Sequence, residues 1–494
     1  FCSSRYRSSL NKKVKLFSGL MAIPIAIAVI GAVGWLASQS FFPGNAEKYS
    51  TVLVTEDADF ATDIPEVNYS EIPFIDKDSA ILLGNRTMGT MADYVSQFEI
   101  SDLYSQINYK GQPVRVSPLN YADFFKWWAN KDGGIPAYVI VNMSTQDTEI
   151  VRLENPIRYS DSDPFFYNVD RHVQLSYPFY MFDEKSFEIN DDGEPFWIYP
   201  VQKRTIGLFG GTTIQRVVLC NASTGECQDF AIEDVPQWVD RAYPAELLIE
   251  QYNWSGALSG GWINSWLGQN GVKQTTPSTD GKSGFNYIAQ DDDVWVYSGV
   301  TSATADNSII GCVMINQRTA ESKFYSVAGA TEESAMRSAE GQVQHLQYDA
   351  TFPLLINVDG QPTYFMALKD AAGLVKMYAM VDIQRYQNVA VGDTLAATEK
   401  SYKQLLVSQG VNVGGSDASA HPSAGSTSGT IASISPVVLD GNSHYYLILD
   451  GQQAIFDCPV ASVVDVVRYK VGDVIVLNHG SSEGNVVLVD SIGE

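Results

Sequence analysis

The sequence predicts an α+β fold: an N-terminal transmembrane helix, repeated modules of an antiparallel sheet plus a helix, and a small OB-like β-barrel at the C-terminus. Three observations carry this. A long apolar run follows a basic start, one strand–turn–strand signature recurs, and a Gly/Ser-rich stretch precedes a last group of short strands.

With 494 residues the chain exceeds one ordinary domain. Hydrophobic residues, at 45%, suffice for several cores, and 26 Tyr supply stiff side chains for sheet surfaces. The net charge of −25 is unevenly spread: Arg5, Arg7, Lys12, Lys13 and Lys15 stand among residues 1–15 without an acid, leaving 27 basic against 57 acidic residues beyond. A surface of that sign repels nucleic acid, so no nucleic-acid partner is expected.

Leu16 to Leu36 reads LFSGLMAIPIAIAVIGAVGWL, and no charge appears until Glu47. At about 1.5 Å per residue that run spans roughly 30 Å, the thickness of a bilayer core. Its length exceeds the roughly 7–15 apolar residues of a cleaved signal peptide. The expectation is a basic cytoplasmic tail over 1–15, a transmembrane signal anchor over 16–36, and a main domain outside: a single-pass cell-membrane protein, oriented by the positive-inside rule.

Beyond the anchor, 47–407 reads as an α+β repeat region. The signature is Asn-x-x-Thr-x-Asp/Glu between two apolar strands: Asn142 with Thr145 and Asp147, Asn221 with Thr224 and Glu226, Asn316 with Thr319 and Glu321. A fourth copy carries Asp382 in place of Asn. The physics is a hairpin whose Asn or Asp side chain caps the turning backbone, with alternating apolar residues burying one face of each strand. A second turn, Asp-Gly-x-Pro, leads into strands at Asp192, Gly193 and Pro195, and at Asp359, Gly360 and Pro362. Pro there reads as the start of an edge strand. Helices are expected upstream of the hairpins, over 121–130, over 235–252 with an interruption at Pro244, and over 330–346.

This helix, turn, strand, strand unit resembles the PepSY-like modules of bacterial cell-surface proteins, most closely at Asp359 to Tyr364 and Thr224-Gly225-Glu226. The resemblance covers roughly 120–400. The whole chain is also similar to membrane-anchored extracytoplasmic proteins of Gram-positive bacteria. These likenesses imply a binding or inhibitory module of the cell envelope and carry no catalytic residues.

Residues 408–429 read as a flexible Gly/Ser/Ala linker, and 430–494 as five short strands of a small OB-like barrel. Its basic residues are few, Arg468 and Lys470, so nucleic-acid binding is not expected of it.

Candidate chemistry is sparse. Cys220 and Cys227 flank a turn and are placed to pair as a disulfide, the alternative being two reduced thiols out of register. No HExxH and no CxxC occurs, so no metal is expected, and no cofactor or catalytic residue is assigned. Gly281-Lys282-Ser283 lacks the earlier Gly of a P-loop and reads as a turn. The acids Asp291 to Asp293, and Asp183, Glu184, Glu188, Asp191 and Asp192, read mainly as solvated turns. The expected function is a membrane-anchored binding or assembly protein of the envelope, with protein partners or self-assembly. The alternative is an enzyme acting on cell-wall glycan or peptide through residues such as Glu188 and Asp292.

Overall fold

The computed structural model describes residues 23–67, 72–277, 284–290, 292–303, 305–408, 425–439, 442–452, 454–460, 463–479 and 486–493. The basic tail, residues 16–22 of the expected span, most of the expected linker, and the Gly281-Lys282-Ser283 turn lie outside them.

The predicted membrane helix is corrected. Among the described residues, no helix is long and apolar enough to cross a membrane. The helix over 23–37 ends at Ala37 because the chain turns there: Ser38 Oγ donates back to the Gly34 carbonyl at 2.7 Å, and Asn45 Nδ2 donates to the carbonyls of Ala37 and Gln39 at 2.8 and 2.9 Å. The described part of this helix, residues 23–37, rises about 22 Å. The expectations of a single-pass anchor, a membrane partner, a cytoplasmic N-terminus and a cell-membrane location lose their support with it.

The α+β expectation also shifts. Strand outweighs helix, 41% to 26%, and the fold is mainly β. The helices are shorter than their sequence patterns. Asp123 caps a helix confined to Phe124–Asn130, and Pro244 starts the next helix at Ala245 instead of interrupting one.

The chain divides into two compact units, 1–411 and 412–494. The first contains four antiparallel meanders of four strands each. Module 1 is β1 (Ser105–Tyr109), β2 (Gln112–Tyr121), β3 (Ile135–Asn142) and β4 (Thr148–Ile157). Module 2 is β5 (Ser186–Ile189), β6 (Pro195–Ile206), β7 (Gly210–Asn221) and β8 (Cys227–Ala231). Module 3 is β9 (Asn286–Gln290), β10 (Asp293–Ser302), β11 (Ala305–Asn316) and β12 (Ser322–Tyr325). Module 4 is β13 (Leu354–Val358), β14 (Gln361–Lys369), β15 (Val375–Asp382) and β16 (Val389–Gly392). Short extra strands extend modules 1, 3 and 4; the strand Thr55–Ala58 joins β12 in parallel. Upstream of the four meanders lie the helices α1 (Lys77–Met88), α2 (Val169–Ser176), α3 (Ala245–Leu258) and α4 (Glu332–Gln342), in that order. Helix α5 (Leu395–Ser408) follows module 4.

The signature residues set each last hairpin. Asn142, Asn221 and Asn316 each accept two backbone N–H bonds on Oδ1 at 2.8–3.0 Å, from the second and third residues after them. Asp382 does the same at 2.8 and 3.1 Å. The residue before the acid turns left-handed at Gln146, Gly225 and Ala320.

Helices pack between sheets. Leu247, Leu248, Ile249 and Tyr252 of α3 share one core with Ile198, Ile214, Val217 and Leu219 of module 2 and with Val296, Val300, Val313 and Ile315 of module 3. The opposite face of module 3, with Trp295, Tyr297, Cys312 and Met314, shares a core with Ala335 and Ala339 of α4 and with Tyr364, Met366, Ala379 and Val381 of module 4. Module 3 is thus buried on both faces, where the sequence pattern predicts one.

In the second unit, β17 (Gly425–Leu439), β18 (Asn442–Leu449), β19 (Ile455–Pro459), β20 (Val474–His479) and β21 (Val486–Gly493) close into a barrel in the order β17-β18-β19-β21-β20. Leu447, Leu449, Phe456, Ile475 and Leu477 fill it.

Leu248 is fully buried between two sheets. Leu248→Ala is expected to lower stability by about 2–5 kcal/mol, read from the urea midpoint of the unfolding transition.

Candidate functional site

Four copies of one register provide an internal control. The residue just before each anchoring Asn or Asp is Val141, Cys220, Ile315 or Val381. Opposite it on the second strand stand Arg115, Trp197, Val296 and Tyr364. Opposite those on the first strand stand Gln106, Phe187, Tyr287 and Leu355. Trp197, Val296 and Tyr364 are fully buried core residues; module 1 puts a guanidinium in the same place, only 6% exposed.

Arg115 has little to balance its charge. Nη2 donates to Gln106 Oε1 at a long 3.3 Å, the guanidinium carbon lies 6.0 Å from the Tyr287 ring centre, and Nε is buried without a hydrogen-bond partner. No ion pair to Arg115 forms among the described residues. Burial pulls its pKa below the ordinary value, yet a guanidinium starts so high that it stays charged near neutrality.

The side chain lines a cavity of about 180 Å³ where modules 1, 3 and 4 meet. Its walls mix the apolar side chains of Phe74, Phe285, Phe352, Leu354 and Phe365 with the polar ones of Asn286 and Thr351. Asp76 also lines it; this carboxylate caps α1 by accepting from Ser79 N at 2.9 Å and pairs with Lys369. Burial opposes its ionisation, but the hydrogen bonds from Lys369 and Ser79 prevail and hold its pKa below the usual value. The cavity is thus a partly open, aromatic-lined cleft in which Arg115 has no direct ion pair among the described residues, the nearby Asp76 carboxylate being paired with Lys369.

A second buried polar group lies in module 2. Glu188 stands where modules 1, 3 and 4 carry Ile107, Ile288 and Ile356. Its carboxylate accepts from Ser186 Oγ at 2.8 Å and from the backbone N–H groups of Asp240 and Arg241 at 2.9 and 3.1 Å. Asp240 accepts from Asn108 N at 2.7 Å, and its other oxygen has no partner. Burial raises the pKa of both acids, and the charge of Glu188 raises Asp240 further.

The remaining sequence-marked residues are mostly structural. Asp192 and Gly193 lie in the β5–β6 turn, closed by Asn190 Oδ1 accepting from Asp192 N and Glu194 N at 3.1 and 2.8 Å. Asp359 and Gly360, both left-handed, make the β13–β14 turn. Pro195 and Pro362 begin inner strands rather than edge strands, at the end of the ladder where a missing N–H costs least. Cys220 and Cys227 face each other across β7 and β8 as free thiols. Glu184, Asp191, Asp192 and Asp292 are exposed, Asp183 is half-buried, Asp293 is paired with Arg318, and Asp291 lies outside the described residues.

No family model and no curated protein sequence matches the chain. Among solved structures, a mutant Synechocystis apocarotenoid oxygenase aligns over 62% of this chain and 67% of its own, at 10% identity and a TM-score of 0.18. The Bacillus megaterium YpeB C-terminal domain aligns over 53% and 99%, at 8% identity and a TM-score of 0.11. Scores this low leave both as weak likenesses that carry no argument about fold or function.

Protonation of Asp240 favours the folded state, because its folded pKa lies above its unfolded one. Stability from this group is full below the unfolded value, about pH 4, and falls as pH rises toward the folded pKa. Asp240→Asn removes that titration, so its melting temperature is expected to fall less than the wild type's between pH 4 and 7 in calorimetric scans.

Proposed function

We propose that the protein is a non-enzymatic binding protein whose cavity at Arg115 takes a small ligand combining a carboxylate with an apolar body. The observation that carries this reading is a buried guanidinium with no ion-pair partner among the described residues, at a register position that the other modules fill with Trp197, Val296 and Tyr364. An unpaired buried charge is costly, so an anion in the cavity offsets a penalty the fold otherwise bears. The size suits one ring or a short branched chain, since a cavity of about 150 Å³ holds benzene. Phe74, Phe285 and Phe365 favour the apolar part, and Arg115 the carboxylate through charge-assisted hydrogen bonds.

The helix-plus-meander unit, with its turns at Asp359 to Tyr364 and at Thr224-Gly225-Glu226, also resembles PepSY-like modules, and that resemblance implies binding or inhibition rather than chemistry. The enzymatic alternative draws no support from its two residues: Glu188 is sealed from solvent and already bonded to two backbone N–H groups, while Asp292 sits on an exposed turn. A second reading, assembly, rests on the exposed aromatics Phe124, Phe125 and Phe165, whose rings meet at Phe124.

Calorimetric titration with benzoate and short branched-chain carboxylates tests the binding reading. The expected result is saturable binding that Arg115→Met weakens by about tenfold or more, a charged contact being worth roughly 1.5–3 kcal/mol. Without ligand, the same variant is expected to melt higher than wild type, since an apolar side chain replaces an unpaired charge. Carboxylates that bind equally well to Arg115→Met, or a variant that melts lower without ligand, would overturn the assignment.

A further inference from the structure

The same register row holds a second exception. In module 2 the residue before the anchoring Asn is Cys220, and its partner on the fourth strand is Cys227. The other modules pair Val141 with Thr148, Ile315 with Ser322, and Val381 with Val389. Three copies of the turn thus close without sulfur, so the hairpin does not require the two thiols. They sit next to the Asn221–Glu226 pair, whose backbone bond from Asn221 N to Glu226 O measures 2.9 Å.

A third donor arrives from another element. Helix α2 carries His172, whose Nε2 lies 2.7 Å from the Gly225 carbonyl at the tip of the same turn. The Tyr159 ring, centred 4.3 Å from the imidazole, closes the other side. Gly225 is held at φ 77, and a Cβ there would lie 2.2 Å from the Tyr159 ring, so only glycine lets the turn approach this closely. One ligand atom from each of His172, Cys220 and Cys227 falls within 4.8 Å of the other two. No other such group of three His, Cys, Asp or Glu occurs among the described residues. Cys220 is fully buried, and Cys227 and His172 are half-buried, so the group has a closed floor and an open side.

We propose that His172, Cys220 and Cys227 form a binding site for a thiophilic d10 metal ion, with zinc(II) the ion suited to two thiolates, one imidazole and an open fourth position. Binding replaces the two S–H protons with metal–sulfur bonds and releases both protons to solvent. No spacing motif marks the site, because its donors come from a helix and from both arms of a hairpin.

The full-length protein, purified with a non-thiol reductant, is titrated with cobalt(II) as a spectroscopic stand-in and then with zinc(II). The expected result is one equivalent bound, with a sulfur-to-cobalt charge-transfer band and the intense visible bands of tetrahedral cobalt, both bleached by zinc. Cys227→Ser and His172→Ala are expected to weaken binding by about tenfold or more, since even outer-shell changes cost that much. Cys220→Ser changes a fully buried position and tests folding as well, so His172→Ala, which leaves both thiols in place, carries the decision, with circular dichroism confirming its fold. Absence of the charge-transfer band, or binding unchanged in His172→Ala, would overturn the proposal. So would recovery of Cys220 and Cys227 as a disulfide from cells lysed into a thiol-blocking reagent.

Discussion

The structure of the first unit depends on one small interaction repeated four times: an Asn or Asp side-chain oxygen accepting two backbone N–H groups just after the third strand of a meander. It fixes where that strand stops and how many residues the turn takes. Because side chains alternate with period two, a one-residue slip would move every core residue to the opposite face. Asn142, Asn221, Asn316 and Asp382 therefore decide more than their turns; they decide which side chains meet the helices. Given that register, Val296 and Ile315 face α3 while Trp295 and Met314 face α4, and the sheet between the helices is dry on both sides.

A fixed register in four copies also separates what the fold requires from what it tolerates. At the second-strand position opposite the residue before the anchor, and at the first-strand position that Glu188 occupies in module 2, apolar residues are the default: Trp197, Val296 and Tyr364, and Ile107, Ile288 and Ile356. Against them, Arg115, Glu188 and the Cys220–Cys227 pair are departures that cost stability or add reactivity. Glu188 is compensated by a hydroxyl and two backbone N–H groups. Arg115 is not compensated, and it is the one of these departures that borders the described cavity. A departure from local consistency without a compensating partner is the physical mark of a site.

Much of this arrangement was legible in the chain. The three Asn-x-x-Thr signatures and the Asp382 variant mark the four last hairpins because the side chain that caps the turn is itself the signal. The first hairpins were harder. Lys110-Gly111 turns left-handed between β1 and β2 and keeps the Gly-x-Pro of the pattern at Asp192 and Asp359, but Lys110 stands in place of the Asp. Arg115 was missed for a definite reason. In QPVRVSPL, alternation sends the arginine to the face presumed wet, and only the stacking of other modules makes that face dry. Aligning the four copies on their anchors, with the second strand included, would have placed Arg115 against Trp197 and exposed the anomaly. The apolar run before residue 37 misled in the opposite direction: its far end matches the helix end at Ala37, where Ser38 and Asn45 turn the chain, but no described helix is long and apolar enough to cross a membrane.

The two departures in one row also show what repetition allows a fold to tolerate. A single-copy sheet that placed a guanidinium or a thiol pair in its core row would risk its only core. Here the apolar rows of modules 2, 3 and 4 form cores with α3 and α4 that do not include Arg115. The cost of a buried guanidinium is thus confined to the junction where Phe74, Phe285 and Phe365 border the cavity. Likewise the thiols and His172 lie beside a turn already closed by Asn221, so the hairpin is held by backbone and side-chain hydrogen bonds whatever the state of the sulfurs. The repeat supplies stability in its ordinary copies and leaves single positions in the others free to carry a polar or reactive group.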